Sequence, residues 1–321
     1  MKTVCFFNNK GGVGKTTLAC NVASCISKHF KCRVVVVDGD PQCNATQLLL
    51  PERELNVLYR LRLKRGARAS RKASAVTLFD VLQPLAAGEP TIHENVSPLS
   101  AKDNRFQVDL VPGHPEVALL EDKLSQAWLS FGGGDIGGAR ITNWCTQLNR
   151  SLARDYELAI YDVGPSLGAL NRTVLVGADF FLTPMGCDIF SIMGVSNISG
   201  WLGKWLTAYA DGIAKCKQTW EISDYPIRSD TGAIARFVGY TVQQYITKAK
   251  SGQRRPTKAF ERILKDIPPA VATELGAFMA PHVGPGDLRL PDVPHMYSLV
   301  PLAQSANAPI DDVEGSAPKL M

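Results

Sequence analysis

NNKGGVGKTTLACN, residues 8–21, nearly satisfies the phosphate-binding pattern G-x-x-x-x-G-K-[ST], except that Asn9 stands at the first glycine and an additional lysine, Lys10, follows it. The flanks give the motif its setting. KTVCFF before it is a short apolar run, and TTLACNVASCISKHF after it carries apolar residues at helical spacing, so the order is strand, loop, helix. Gly11, Gly12 and Gly14, with Val13 among them, let the backbone curl until its N–H groups face phosphate oxygens. Lys15 would pair with the outer phosphates and Thr16 would place its hydroxyl on Mg²⁺. Thr17 opens a helix whose positive end faces the nucleotide. The strand, the helix and Lys-Thr-Thr in register favour nucleotide binding over a plain glycine-rich turn.

Outward from this loop, CRVVVVDGDP is a β-branched run without alternation, as in a strand covered on both faces of a parallel sheet, and it ends on Asp38 and Asp40. Further strands are expected in residues 105–112, 156–165, 179–184 and 235–242, and in a short piece ending near Pro294, with helical patterns between most of them. This alternation predicts an α/β fold, a doubly wound, mostly parallel sheet flanked by helices, with ligands beyond the carboxyl ends of the strands. The 321 residues read as one domain, 1–321, with insertions. Hydrophobic content of 45% is enough for a sizeable core, and eight cysteines without a C-x-x-C pair argue against a zinc or redox site. No apolar run approaches the roughly 20 residues of a membrane span, and no cleavable signal opens the chain, so a cytoplasmic protein is expected.

Three segments interrupt the rhythm. Residues 53–75 read as a basic insertion, with seven basic side chains and no acid between Tyr59 and Ala73. Residues 130–140, SFGGGDIGGAR, read as a flexible loop or a bend between helices. TKAKSGQRRPTKAFERILK, residues 247–265, is a basic turn running into a helix, and residues 306–321 read as a flexible tail.

KGGVGKTT, from Lys10 to Thr17, resembles the fingerprint of the ParA/MinD family of deviant Walker ATPases, and VVVVDGDPQCNAT resembles that family's D-x-D-P-Q-x-N-A-T switch. YELAIYDVGPSLGALNRTVLVGADFFLTPMGCDIFSIMG is similar to its Walker B strand and following switch, and VPHMYSLVPLAQSANAPI to its C-terminal segment. The resemblance implies a P-loop ATPase using ATP and Mg²⁺. It casts Lys10 as a signature residue reaching across a nucleotide-sandwich homodimer, and Asp40 as the carboxylate acting on the attacking water. It puts Asp38 and Asp162 near the Mg²⁺, and Pro294 at the start of the loop bordering adenine. One departure stands out: Asp162-Val163-Gly164-Pro165 carries glycine where the family has proline.

The resemblance also implies a ParA-type partition switch, bound to DNA of any sequence as an ATP dimer, nucleoid-associated in that state, and stimulated by a ParB-like or other adaptor. The formal charge of +5 is modest, but its clustering supplies candidate phosphate contacts in Lys248, Lys250, Arg254, Arg255 and Lys258. The runner-up, MinD-like cycling on a membrane, needs a basic amphipathic C-terminal helix that PIDDVEGSAPKLM does not offer. A third reading is an ATP-holding regulator that scarcely hydrolyses, with Gly164 as its hint.

Overall fold

The computed structural model describes residues 1–65, 76–243, 247–250, 253–256 and 258–313. Six strands, β1 (Lys2–Phe6), β2 (Val34–Asp38), β3 (Asp109–Val111), β4 (Leu158–Asp162), β5 (Phe180–Gly186) and β6 (Arg236–Gln243), form one sheet in the order β3-β2-β4-β1-β5-β6. Every pairing in it is parallel. Helices α1 (Lys15–Phe30), α2 (Asn44–Leu49), α3 (Glu52–Arg65), α4 (Leu78–Ala86), α5 (Glu121–Gly132), α6 (Ile136–Thr142), α7 (Trp144–Leu152), α8 (Ala169–Gly177) and α9 (Ile189–Cys216) fill the connections. A ribbon of β7 (Thr247–Lys250) and β8 (Gln253–Pro256) follows, then α10 (Lys258–Leu275) and α11 (Leu299–Ser305).

The valine run of β2 shows why the sheet is covered twice. Val35 and Val37 enter one apolar cluster and Val34 and Val36 the other, because successive side chains of a strand point to opposite faces. Cys5 and Phe6 of β1 divide in the same way. Parallel register then sets the site: Asp38 pairs with Asp162, and Asp162 with Phe6, so three adjacent strands end together.

Several expectations change. Only Asp109–Val111 of residues 105–112 is strand, since Gln107, at φ 57°, closes a turn onto Asn104. The piece ending near Pro294 runs beside β6 through isolated bridges at Arg289 and Val293, and Pro291 between them has no N–H to extend a ladder. Residues 130–140 are mostly helical, with the end of α5 and the start of α6 separated by a turn at Gly133, Gly134 and Asp135, whose carboxylate caps α6 through Gly138 N–H. The basic turn is the β7–β8 ribbon.

Residues 306–313 are not a free tail. The Asn307 amide donates to the carbonyls of Gln47, Leu48 and Leu50 at the end of α2, Ile310 N–H donates to Asn21 Oδ1 of α1, and Arg105 pairs with Asp312. Helix-end carbonyls lack intrahelical partners, and a side-chain amide satisfies them here. Residues 314–321 lie outside the described ones, as do residues 66–75 of the basic insertion, whose first part forms α3. All eight cysteines are unpaired and six are buried.

Candidate functional site

The loop between β1 and α1 takes the shape that glycine permits. Gly12 and Gly14 both have φ 73°, in the left-handed region, and Gly14 is the N-cap of α1 with no side-chain hydrogen bond there. The first N–H groups of α1 are therefore not satisfied by a capping side chain, and they make a place for anionic oxygens. Gly11 and Gly12 are exposed, while Val13 is buried and anchors the loop. Asn8 staples the loop to β5, donating to Pro184 O at 2.6 Å and accepting Lys10 N–H at 2.9 Å.

Lys15 is only 7% exposed, and its ammonium spans the loop to donate to Lys10 O at 3.2 Å. Burial lowers its pKa, and the charges of Asp162 and Asp40 act against that shift. Thr16 and Thr17, in the first turn of α1, are half-buried. Lys10 points elsewhere. Its ammonium lies 2.5 Å from Asp188 Oδ2, at the N-cap of α9, and 5.9 Å from the centre of the Phe190 ring. Burial pushes the Asp188 carboxyl up, but the hydrogen bonds from Lys10 and Ser191 outweigh it and hold the pKa below the ordinary value.

The two aspartates at adjacent strand ends are differently engaged. Asp38 Oδ2 accepts the Thr46 N–H at 2.7 Å and the Thr46 hydroxyl at 2.6 Å, and Thr46 Oγ1 in turn accepts Gly113 N–H. Asp162 is fully buried, and neither of its oxygens meets a donor in ordinary hydrogen-bond geometry. The Thr16 hydroxyl lies near enough to favour its ionised form, and a buried carboxylate left this way fits a cation with its water shell. Among the described residues no three His, Cys, Asp or Glu side chains close on a metal, and Mg²⁺ needs no such cage when phosphates and water complete its coordination.

Burial, then the Asp38 charge, raises Asp162 from 3.8 to about 8, and burial raises Asp38 to about 6 against the Thr46 hydrogen bonds. Both folded-state values lie above the ordinary one, so folding favours the protonated carboxyls. The stability this adds is complete below about pH 4 and is lost as pH rises through 6 and then 8. Protein free of metal and nucleotide should therefore show a Tm that falls steadily from about pH 5 to about pH 9, flattened by Mg²⁺ with nucleotide. Calorimetry across that range checks this, and a flat Tm would mean that both groups are already ionised.

Asp40 is also buried, and its Oδ1 accepts the Gln42 N–H at 2.9 Å. The strand ends thus bring Lys15, Asp38, Asp40 and Asp162 within electrostatic reach of one another.

The AAA domain family model (AAA_31) matches residues 1–209, and the chromosome partitioning protein ParA of Myxococcus xanthus is 27% identical over 198 residues, 62% of this chain and 56% of that protein. The chain belongs to the ParA/MinD family. The crystal structure of protein DIP2308 from Corynebacterium diphtheriae is 35% identical with a TM-score of 0.75, covering 99% of this chain and 100% of that one. An ATP complex of McdA from Cyanothece shares the fold, with 15% identity and a TM-score of 0.60 over 99% and 96% of the two chains. The chain spans less than two thirds of the length of the curated relatives it matches.

Pro294 follows Val293, whose N–H bonds Val242 O near the end of β6. Lys248 is in register with Arg255 and Lys250 with Gln253 across the β7–β8 ribbon, with Arg254 opposite Ala249 and Lys258 opening α10. Sequence reasoning missed Asn8, Thr46 and Asp188. Thr46 closes the quoted DGDPQCNAT stretch and Asn8 opens NNKGGVGKTT, while Asp188 stands three residues before Ser191 at the start of a helical pattern, the spacing of an N-cap.

Proposed function

We propose that this chain is a positioning ATPase of the ParA type, which dimerises on ATP, holds non-specific DNA in that state, and releases it after hydrolysis prompted by a ParB-like adaptor. The observation that carries the reading is the placement of Lys10. Its ammonium leaves the loop that Lys15 spans and pairs with Asp188 near the Phe190 ring, in a part of α9 where Ile189, Phe190 and Met193 are 63%, 67% and 62% exposed. Turned away from its own loop and held by Asp188, this lysine suits a role toward a second copy. Exposed apolar side chains beside it suit a face that a subunit covers.

In the reaction, Lys15 would neutralise the outer phosphates, the loop N–H groups would hold them, and Asp40 would orient the attacking water and take its proton. Thr16 would hold Mg²⁺, with Asp38 and Asp162 near its water shell, and the ion would supply charge neutralisation. Among the described residues no helix is long and apolar enough to cross a membrane.

The test compares wild type with Lys10→Ala in sizing and DNA titration. Wild type is expected to dimerise with ATP and bind duplex DNA of any sequence. With about six phosphates neutralised per dimer, the log–log salt slope should lie near about −5, flattened by charge reversal at Arg254 and Arg255. Lys10→Ala should bind ATP yet stay monomeric. A variant that dimerises normally would make Lys10 a surface lysine, and a dimer that ignores DNA at low salt would move the reading to another matrix.

A further inference from the structure

Asp40 rests against the backbone of Gly164. A β-carbon at Gly164 would lie 3.1 Å from Asp40 Oδ1, 3.3 Å from its Cγ and 3.5 Å from its Oδ2. The two strand exits are laced together just before this point. Gly39 N–H donates to Asp162 O at 2.8 Å, and a β-carbon on Gly39 would come 3.3 Å from the same oxygen.

The Gly164 side of the contact is fixed from behind. Asn171 is buried and donates through Nδ2 to Gly164 O at 2.7 Å and to Ser166 O at 2.7 Å, which pins the turn after β4. The same oxygen, Asp40 Oδ1, also accepts the Gln42 N–H. Added bulk at Gly164 would therefore displace the end of the Asp40 side chain before it moved the backbone. The glycine that departs from the family pattern thus lies against the carboxylate assigned to the attacking water.

We propose that Gly164 is a positioning residue for Asp40: its missing side chain provides the seat that sets where the carboxylate meets the water. The inference rests on the hydrolytic role given to Asp40 above, but the contact itself can be tested without it.

Gly164→Ala should lower kcat about tenfold with the KM for ATP and the nucleotide affinity unchanged within about twofold, since an ångström-scale misplacement can cost about a hundredfold and this one is smaller. Gly164→Pro, the family's residue, should act in the same direction. The structural arm is a double-mutant cycle on Tm. Gly164→Ala should lower Tm by about 2–4 °C when Asp40 is present and by clearly less in an Asp40→Ala background, where the methyl leaves room. If Gly164→Ala does not fold but the double variant does, the contact stands. Equal Tm losses in both backgrounds would overturn the contact. Coupling in Tm with unchanged kcat would overturn the positioning role. Coupling in Tm in a wild-type protein that turns over no ATP would leave the contact standing and sink the ATPase reading instead.

Discussion

Lys15→Ala should lower ATP affinity by at least about a hundredfold. The ammonium is nearly buried and spans the loop, whereas Lys10 turns away to Asp188, which leaves amide N–H groups and the Thr16 and Thr17 hydroxyls as the other donors there. Losing two charge-assisted hydrogen bonds of about 1.5–3 kcal/mol each exceeds the ~2.7 kcal/mol that a hundredfold change in Kd requires. The same substitution removes a charge that favours the ionised form of Asp162, so the ligand-free protein should also hold that carboxyl protonated to higher pH. Calorimetric titration with ATP measures the first effect. An unchanged affinity would mean that the nucleotide does not use this loop.

Asp40→Ala should leave ATP affinity within about threefold of wild type and cut turnover by about 10²–10⁴-fold, the usual contribution of a positioned base. The two outcomes separate because the carboxylate is bound by the Gln42 N–H and lies against the turn at Gly164, so its removal frees no donor of the phosphate loop. With binding kept and hydrolysis lost, the ATP-bound dimer should accumulate. Phosphate release and sizing in the presence of ATP test both halves. Turnover at the wild-type rate would return Asp40 to an acidic turn residue.

The parts of this molecule legible in the sequence are those specified over short spans. The loop between β1 and α1 could be read because the glycines, Lys15, Thr16 and Thr17 fall within one turn between a strand and a helix, and β2 because four consecutive valines fit a strand buried on both faces. Lys10 was visible but its partner was not, since Asp188 lies 178 residues away and only the parallel stacking of β5 on β1 brings it near. The unequal engagement of Asp38 and Asp162 was equally hidden, because it depends on Thr46 reaching back from α2. Residues 306–313 were hidden for a related reason: alanine and proline around Asn307 look like loop composition, and nothing local says that one amide will meet three carbonyls at the end of α2.

The position of β1 in the sheet has a consequence for biosynthesis. It precedes both of its sheet neighbours in the chain, so one edge stays unpaired until Leu158–Asp162 has been made and the other until Phe180–Gly186. The loop that follows it cannot hold its shape before then, because Asn8 needs Pro184 O. Until β4 has been made the growing chain carries an apolar strand with two open edges, a state that invites aggregation and gives chaperones something to hold. Truncations ending before β5 should be found in inclusion bodies, and nucleotide binding should begin late and all at once.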